Sequence, residues 1–345
     1  MQGTFEDGVV RVGGDARQRF YDARGYGRPL SGNRIELAPV EAAHLLFRGD
    51  LDAVVDGDDR LDFRSFLVAT DAALAFVVYK DLRDRGFYLS PARDGWVDHP
   101  DGADFVVFPR GSGPEDDAVA YRLRVAGERE SIPAASLGDV TLAVVDEEGE
   151  LTYLETARPD AAGEADGGER YDPPTGLDAA LLADRAVVWE PPEALHDRGF
   201  YGQRLLGRNA ETGPLQLSLV EAAYLARRGT LDLAEPHVVE RGRAVEGERF
   251  DRRLRAYAAL RAAGSVPKSG FKFGADFRTY DAFTTVEEMD HSARLIRVVA
   301  PDHTFLPRDL SLDVRLAGGV RKRMVFALTD VNEGIDWLSV ARLTP

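Results

Sequence analysis

Apolar residues recur at helical spacing in two kinds of segment along this chain, and runs of β-branched and aromatic residues follow them. Residues 39–48 and 219–228 each predict a short helix. Pro39 suits a first helical turn, Ser218 with Glu221 forms a capping-box pattern, and Gly49 and Gly229 fit C-terminal stops. Residues 63–85 and 250–263 predict longer amphipathic helices, ended by Gly86 and Gly264. Strand-like runs then occupy 105–108, 121–125, 140–146 and 151–155, and again 277–280, 295–300, 324–329 and 337–341. The pattern predicts an α+β (mixed α/β) fold. Each half has a small N-terminal α/β subdomain, then a subdomain with its own mixed sheet flanked by helices.

The two halves match in sequence as well as in pattern. Arg34-Ile35-Glu36-Leu37-Ala38-Pro39-Val40-Glu41-Ala42-Ala43-His44-Leu45 resembles Leu215-Gln216-Leu217-Ser218-Leu219-Val220-Glu221-Ala222-Ala223-Tyr224-Leu225. Gly49-Asp50-Leu51-Asp52 answers Gly229-Thr230-Leu231-Asp232, and Arg24-Gly25-Tyr26-Gly27 answers Arg198-Gly199-Phe200-Tyr201-Gly202. Gly102-Ala103-Asp104-Phe105 recurs as Gly274-Ala275-Asp276-Phe277, and Leu142-Ala143-Val144-Val145-Asp146 as Phe326-Ala327-Leu328-Thr329-Asp330. Five matches in one order indicate a tandem duplication. The predicted units are 1–62 and 63–156 in the first copy, an acidic Gly/Pro-rich linker at 157–176, then 177–246 and 247–345. The similar stretch 111–117 lies inside the first copy and reads as a polar loop.

Composition changes this picture in two respects. The 345 residues contain no cysteine, which removes disulfides, thiolate metal sites and cysteine nucleophiles. The formal charge is −16, which argues against nucleic acid until the bases are inspected. Only Lys80, Lys268, Lys272 and Lys322 are lysines among 43 basic residues, an acidic, lysine-poor balance that fits a protein kept hydrated in a high-salt cytoplasm. Charge then reflects habitat more than partner. No apolar run approaches the ~20 residues of a membrane helix, and the N-terminus lacks a basic-then-apolar leader, so a cytoplasmic protein is expected.

Three of the four lysines lie beyond Pro267, and so does the most suggestive chemistry. Tyr280, His291 and Lys322 offer a phenol, an imidazole and an ammonium, a set able to hold a phosphodiester, move its protons and offset its developing charge. Aligned on the repeated segments, Tyr280 faces Phe108, His291 faces Ala118 and Lys322 faces Gly138. Loss of all three together in the first copy reads as one catalytic and one silent unit. Elsewhere the signals are weaker. His44, His99, His196, His237 and His303 show no zinc-ligand spacing. Gly25-Tyr26-Gly27 lacks the remainder of a dinucleotide fingerprint, and Gly111-Ser112-Gly113 lacks that of a phosphate loop.

Through GFKFGADFRTY (270–280), His291 and VRKRMVFALTD (320–330), the chain resembles the archaeal tRNA-splicing endonucleases, in their homodimeric tandem-repeat class. The resemblance implies cleavage of precursor tRNA at a bulge-helix-bulge, without a metal or other cofactor, leaving a 2′,3′-cyclic phosphate and a 5′-hydroxyl. Tyr280, His291 and Lys322 would be the catalytic residues. Tyr280 would orient or deprotonate the attacking 2′-hydroxyl, His291 would protonate the leaving oxygen, and Lys322 would stabilise the phosphorane. The resemblance further implies a pair of flat or cationic side chains gripping a bulge base, with Arg315 and Trp337 fitting best by spacing. It also implies an acidic hairpin loop docked on a partner repeat. Asp146, Glu147, Glu148 and Glu150 fit that loop, with 330–334 a weaker counterpart.

Two other readings stay open on sequence alone. One is a metal-dependent nuclease built on Asp276 and Lys272, although Asp104 keeps the same GADF setting in the silent copy. The other is a non-catalytic RNA-binding or assembly subunit.

Overall fold

The β-branched runs of both copies gather into a single sheet. A computed structural model describes residues 1–98, 100, 102–113, 116, 118–159, 171–207, 210–281, 283–330 and 334–345. Ten strands form the central sheet. We number them β1 (Tyr88–Pro91), β2 (Phe105–Phe108), β3 (Tyr121–Gly127), β4 (Thr141–Val145) and β5 (Leu151–Ala157), then β6 (Val266–Ser269), β7 (Phe277–Tyr280), β8 (Arg294–Val299), β9 (Arg323–Leu328) and β10 (Asp336–Leu343). Their spatial order is β6-β7-β8-β9-β10-β5-β4-β3-β2-β1, so the copies meet back to back.

Each half contributes five strands with parallel and antiparallel pairs, the mixed sheet expected of it, and the two join edge to edge. β5 and β10 pair antiparallel from Tyr153↔Leu343 to Ala157↔Ser339. A five-stranded sheet ending at β5 or β10 would expose a row of unpaired N–H and C=O groups, and each copy satisfies the other's.

The duplication extends to register. Val266↔Tyr280 in β6–β7 corresponds to Tyr88↔Phe108 in β1–β2. The parallel pair β8–β9 carries Ile296↔Val325 where β3–β4 carries Leu123↔Thr141. Asp276 accepts the Val298 N–H at 2.8 Å, as Asp104 accepts that of Val125 at 2.7 Å. Counting from these pairs, Phe108 and Gly138 occupy the places of Tyr280 and Lys322.

Helices cover both faces of this sheet and cap smaller sheets made by the N-terminal segments. They are α1 (Pro39–Phe47), α2 (Phe63–Ala69), α3 (Ala73–Asp84), α4 (Glu193–Asp197), α5 (Leu219–Arg227), α6 (Glu235–Glu246), α7 (Arg249–Ala262) and α8 (Pro307–Gly319). A single helix over 63–85 is not observed. Thr70 turns its hydroxyl onto the Phe66 carbonyl at 2.8 Å and Asp71 adopts φ 49°, which ends α2 before α3 begins. Sequence reading passed over α8, yet Leu310, Val314 and Ala317 recur at helical spacing and bury against Phe326 and Leu338.

A buried glutamate is common to both copies. Glu41 accepts the Gly27 and Ala38 N–H groups at 2.7 and 2.9 Å, and Glu221 accepts those of Gly202 and Ser218 at 3.0 Å each. Burial pushes the Glu41 carboxyl up to about 7, against the opposing effect of its two backbone donors. A raised folded-state pKa gives stability present below the ordinary carboxyl pKa of 4.5 and lost as pH rises to about 7. Glu41→Gln is therefore expected to gain on the parent protein by about 1–3 kcal/mol between pH 5 and pH 8, read by denaturant unfolding at fixed high salt. A pH-independent difference would show that Glu41 ionises normally.

Candidate active site

Strand direction brings the sequence-predicted trio to one end of the sheet. Tyr280 closes β7, His291 lies shortly before β8, and Lys322 immediately precedes β9. Because β7–β8 is antiparallel and β8–β9 parallel, the end of the first lies beside the starts of the other two. Backbone bonds stitch this corner: Ala293 N–H donates to Thr279 O at 2.9 Å, and Arg323 N–H to Ala293 O at 3.2 Å. The Lys322 ammonium donates to Ser292 O at 2.6 Å, next to His291 in the chain. His291 itself is exposed.

Two residues that sequence reading did not assign complete the corner. Arg278 Nε donates to the Tyr280 hydroxyl oxygen at 3.1 Å, which leaves the phenolic O–H to face elsewhere. Partial burial, and secondarily the charge of Arg278, lowers the Lys322 pKa below that of an ordinary lysine. The signal for Arg278 was present as strand alternation, which puts residues two apart on one side. Asp281, directly after Tyr280, is held by Arg294 at 2.8 Å and by the Ser265 hydroxyl at 3.0 Å. That pairing fixes the strand end that carries the phenol.

The corresponding corner of the first copy is closed. Gly138 stands at the lysine position with φ 125°, and a Cβ there would lie 2.4 Å from Arg158 Cγ. Arg158 donates to Leu137 O and Ala134 O at 2.8 Å each and pairs with Asp336. An arginine side chain thus fills the space a lysine at 138 would need.

Other expected residues fare differently. Trp337 is 6% exposed and packs in the core with Val325, Ala327 and Phe277. β10 faces this tryptophan inward, and spacing from the lysine could not reveal its side. Arg315 is exposed on α8 and lines a groove with Arg308, Arg342, Thr152 and Leu154, to which none of the trio contributes. In the acidic loop, Asp146 is committed to the turn, its carboxylate accepting the N–H groups of Glu148 and Glu150 at 2.9 and 2.8 Å. Glu147 pairs with Arg129 at 2.8 Å, and Glu148 and Glu150 are exposed. The weaker counterpart at 330–334 lies largely outside the described residues, as do His99 and most of the linker.

The metal-nuclease alternative meets a direct obstacle. Asp276 is 7% exposed, with Arg249 and Arg253 at 2.6 and 2.9 Å and the Val298 N–H on its other oxygen. The first copy's Asp104 carries the same backbone bond without the trio beside it. Asp276 is a structural residue.

The model for the catalytic C-terminal domain of tRNA intron endonucleases matches residues 250–337, and that for their N-terminal domain matches 1–67 and again 177–240. The chain belongs to the tRNA intron endonuclease family. Among its relatives, the tRNA-splicing endonuclease of Haloferax volcanii is 64% identical over the full length of both chains. That of Haloarcula marismortui is 56% identical over the same span, and that of Methanosarcina acetivorans 37% identical over 99% of each chain. Two of these relatives are haloarchaeal, in keeping with the acidic, lysine-poor composition. Among the described residues no helix is long and apolar enough to cross a membrane.

Proposed function

We propose that this tRNA intron endonuclease cuts precursor tRNA at bulge-helix-bulge junctions by an internal transesterification that its own side chains carry. The 2′-hydroxyl attacks the adjacent phosphorus, the bond to the 5′-oxygen breaks, and a 2′,3′-cyclic phosphate and a 5′-hydroxyl result. The nucleophile is already tethered to its target, so positioning and proton transfer make up most of the task. Tyr280, its oxygen held by Arg278, orients the 2′-hydroxyl and takes its proton. His291, reaching solvent at the same corner, protonates the departing 5′-oxygen. Lys322 sits where charge builds on the phosphorane. The observation that carries the reading is the strand register that brings the chain at Tyr280, Ser292 beside His291, and Lys322 to one corner, while the equivalent corner of the first copy is filled by Arg158.

Two chains are proposed to pair, each giving one catalytic copy, with the exposed Glu147, Glu148 and Glu150 of the first copy docking on the partner. The dimer acts in the cytoplasm, and Arg315 is retained as a candidate base contact. The test is cleavage of a bulge-helix-bulge RNA in excess EDTA at high salt, with end-group analysis. A cyclic phosphate end is expected. A linear 3′-phosphate or 3′-hydroxyl formed directly, or full dependence on an added divalent ion, would overturn the mechanism.

A further inference from the structure

One turn leads into a tyrosine in both copies: Phe200 N–H donates to His196 O and Tyr201 N–H to Leu195 O, as Gly25 N–H donates to Tyr21 O and Tyr26 N–H to Phe20 O. The flanking residues superimpose in role. Tyr201 and Tyr26 lie under Arg261 and Arg83, at 4.1 and 4.3 Å, and Gly202 and Gly27 donate to Glu221 and Glu41. Phe200 thus stands where the first copy has Gly25, which takes φ 63°. Phe200 takes a left-handed backbone, φ 48°, which a non-glycine residue adopts only where its surroundings hold it there.

Besides these turn bonds, Lys268 holds Phe200. The lysine ammonium donates to Phe200 O at 3.1 Å and to Gly202 O at 2.8 Å, and lies 4.7 Å from the centre of the Phe200 ring. It also pairs with Glu221 at 3.0 Å. The ring, 4% exposed, stacks on Phe283 at 5.3 Å and meets Tyr280 edge-on at 5.6 Å. Lys268 is moreover the cross-strand partner of Arg278, which holds the Tyr280 oxygen. In the first copy the corresponding cross-strand pair is Ser90↔Val106, and Gly25 stands in place of Phe200. Lysine, arginine and phenylalanine are therefore absent together from the copy that lacks the phenol.

We infer that Lys268 and Phe200 are positioning residues that fix the ring of Tyr280 for catalysis. This rests on the role given to Tyr280 above. A phenol held only at its oxygen by Arg278 can still pivot about that bond. The Phe200 ring removes the freedom, and the lysine keeps that ring seated against Tyr280.

The experiment is single-turnover cleavage of a bulge-helix-bulge RNA by Phe200→Ala, Phe200→Leu, Tyr280→Phe and the double variant Phe200→Ala/Tyr280→Phe, with RNA affinity measured separately. Misplacement of a reacting group by about 1 Å can cost on the order of 10²-fold, so Phe200→Ala is expected to slow cleavage about 10- to 100-fold at nearly unchanged RNA affinity. In the Tyr280→Phe background the same change should cost nothing further. Should Phe200→Ala fail to fold, Phe200→Leu decides, with the ¹⁹F resonance of 3-fluorotyrosine at position 280 expected to move. An unmoved resonance with a parental rate overturns the clamp, and so does a full additional loss in the double variant. If Tyr280→Phe itself cleaves like the parent, the role of Tyr280 fails instead, and the two failures are distinct.

Discussion

Replacing His291 by alanine is expected to slow single-turnover RNA cleavage by about 10²- to 10⁴-fold, the range of a lost general acid, while RNA affinity and folding stay close to the parent. The imidazole is exposed, and the neighbouring chain is held by backbone bonds to Thr279 and Arg323 rather than by the ring. The first copy has Ala118 at the corresponding place in the sequence. A fall in rate would therefore report lost chemistry rather than lost structure. The variant should also lose the limb of the pH–rate profile that reports a protonated acid. A rate within tenfold of the parent, with that limb intact, would remove His291 from the mechanism and return the chain toward a binding or assembly subunit.

The largest expected effect on stability is that of Lys268→Met. It leaves the Glu221 carboxylate buried without its cation, and breaking such a pair by removing one partner costs about 3–5 kcal/mol. In the parent, burial pushes Glu221 up, but Lys268 and the bonds from Gly202 and Ser218 outweigh it and hold the carboxyl below its ordinary pKa. That depressed pKa gives stability present above the ordinary carboxyl pKa of 4.5 and lost as pH falls through the folded value. Without the lysine, Glu221 becomes the counterpart of Glu41, whose carboxyl is pushed up to about 7. The sign then reverses, and the variant should lose stability as pH rises from 5 to 8. Adding Glu221→Gln should recover much of the loss at pH 8 and little at pH 5. Equal unfolding midpoints for parent and Lys268→Met across that range would show that the pair contributes nothing.

The contrast between Glu41 and Glu221 also shows how the two copies diverged. Both glutamates keep their backbone donors, because those bonds hold the turn into α1 and α5. Only the second copy adds the lysine, and with it the contact to Phe200. A polar core site was thereby tied to the active corner in one copy and left as plain scaffold in the other.

Several elements were legible from local pattern alone. The strand runs at 105–108 and 277–280 appear at those bounds, and the helices begun by Pro39 and Leu219 start there. Glycines 49, 86, 229 and 264 end helices with positive φ, as expected where only glycine is unstrained. The trio was legible because the duplication supplied an internal control: Phe108, Ala118 and Gly138 showed which polar residues the scaffold does not require. The break at Asp71 was missed because both helices flanking it share one apolar periodicity. The burial of Trp337 was not legible, because spacing places a residue along a strand but does not say whether its face is covered.

The amino-acid sequence thus determined, by itself, where strands and helices form, that the unit is doubled, and which copy bears a phenol, an imidazole and an ammonium. These depend on steric and hydrophobic preferences that act within a few residues of each other. Tertiary structure alone decided that β5 and β10 fuse two sheets into one, that Trp337 is core, that Arg158 closes the silent corner, and that Lys268 reaches Phe200 behind Tyr280. Each of those pairs groups far apart in the chain, and what selects them is the cost of leaving backbone edges and buried charges unpaired.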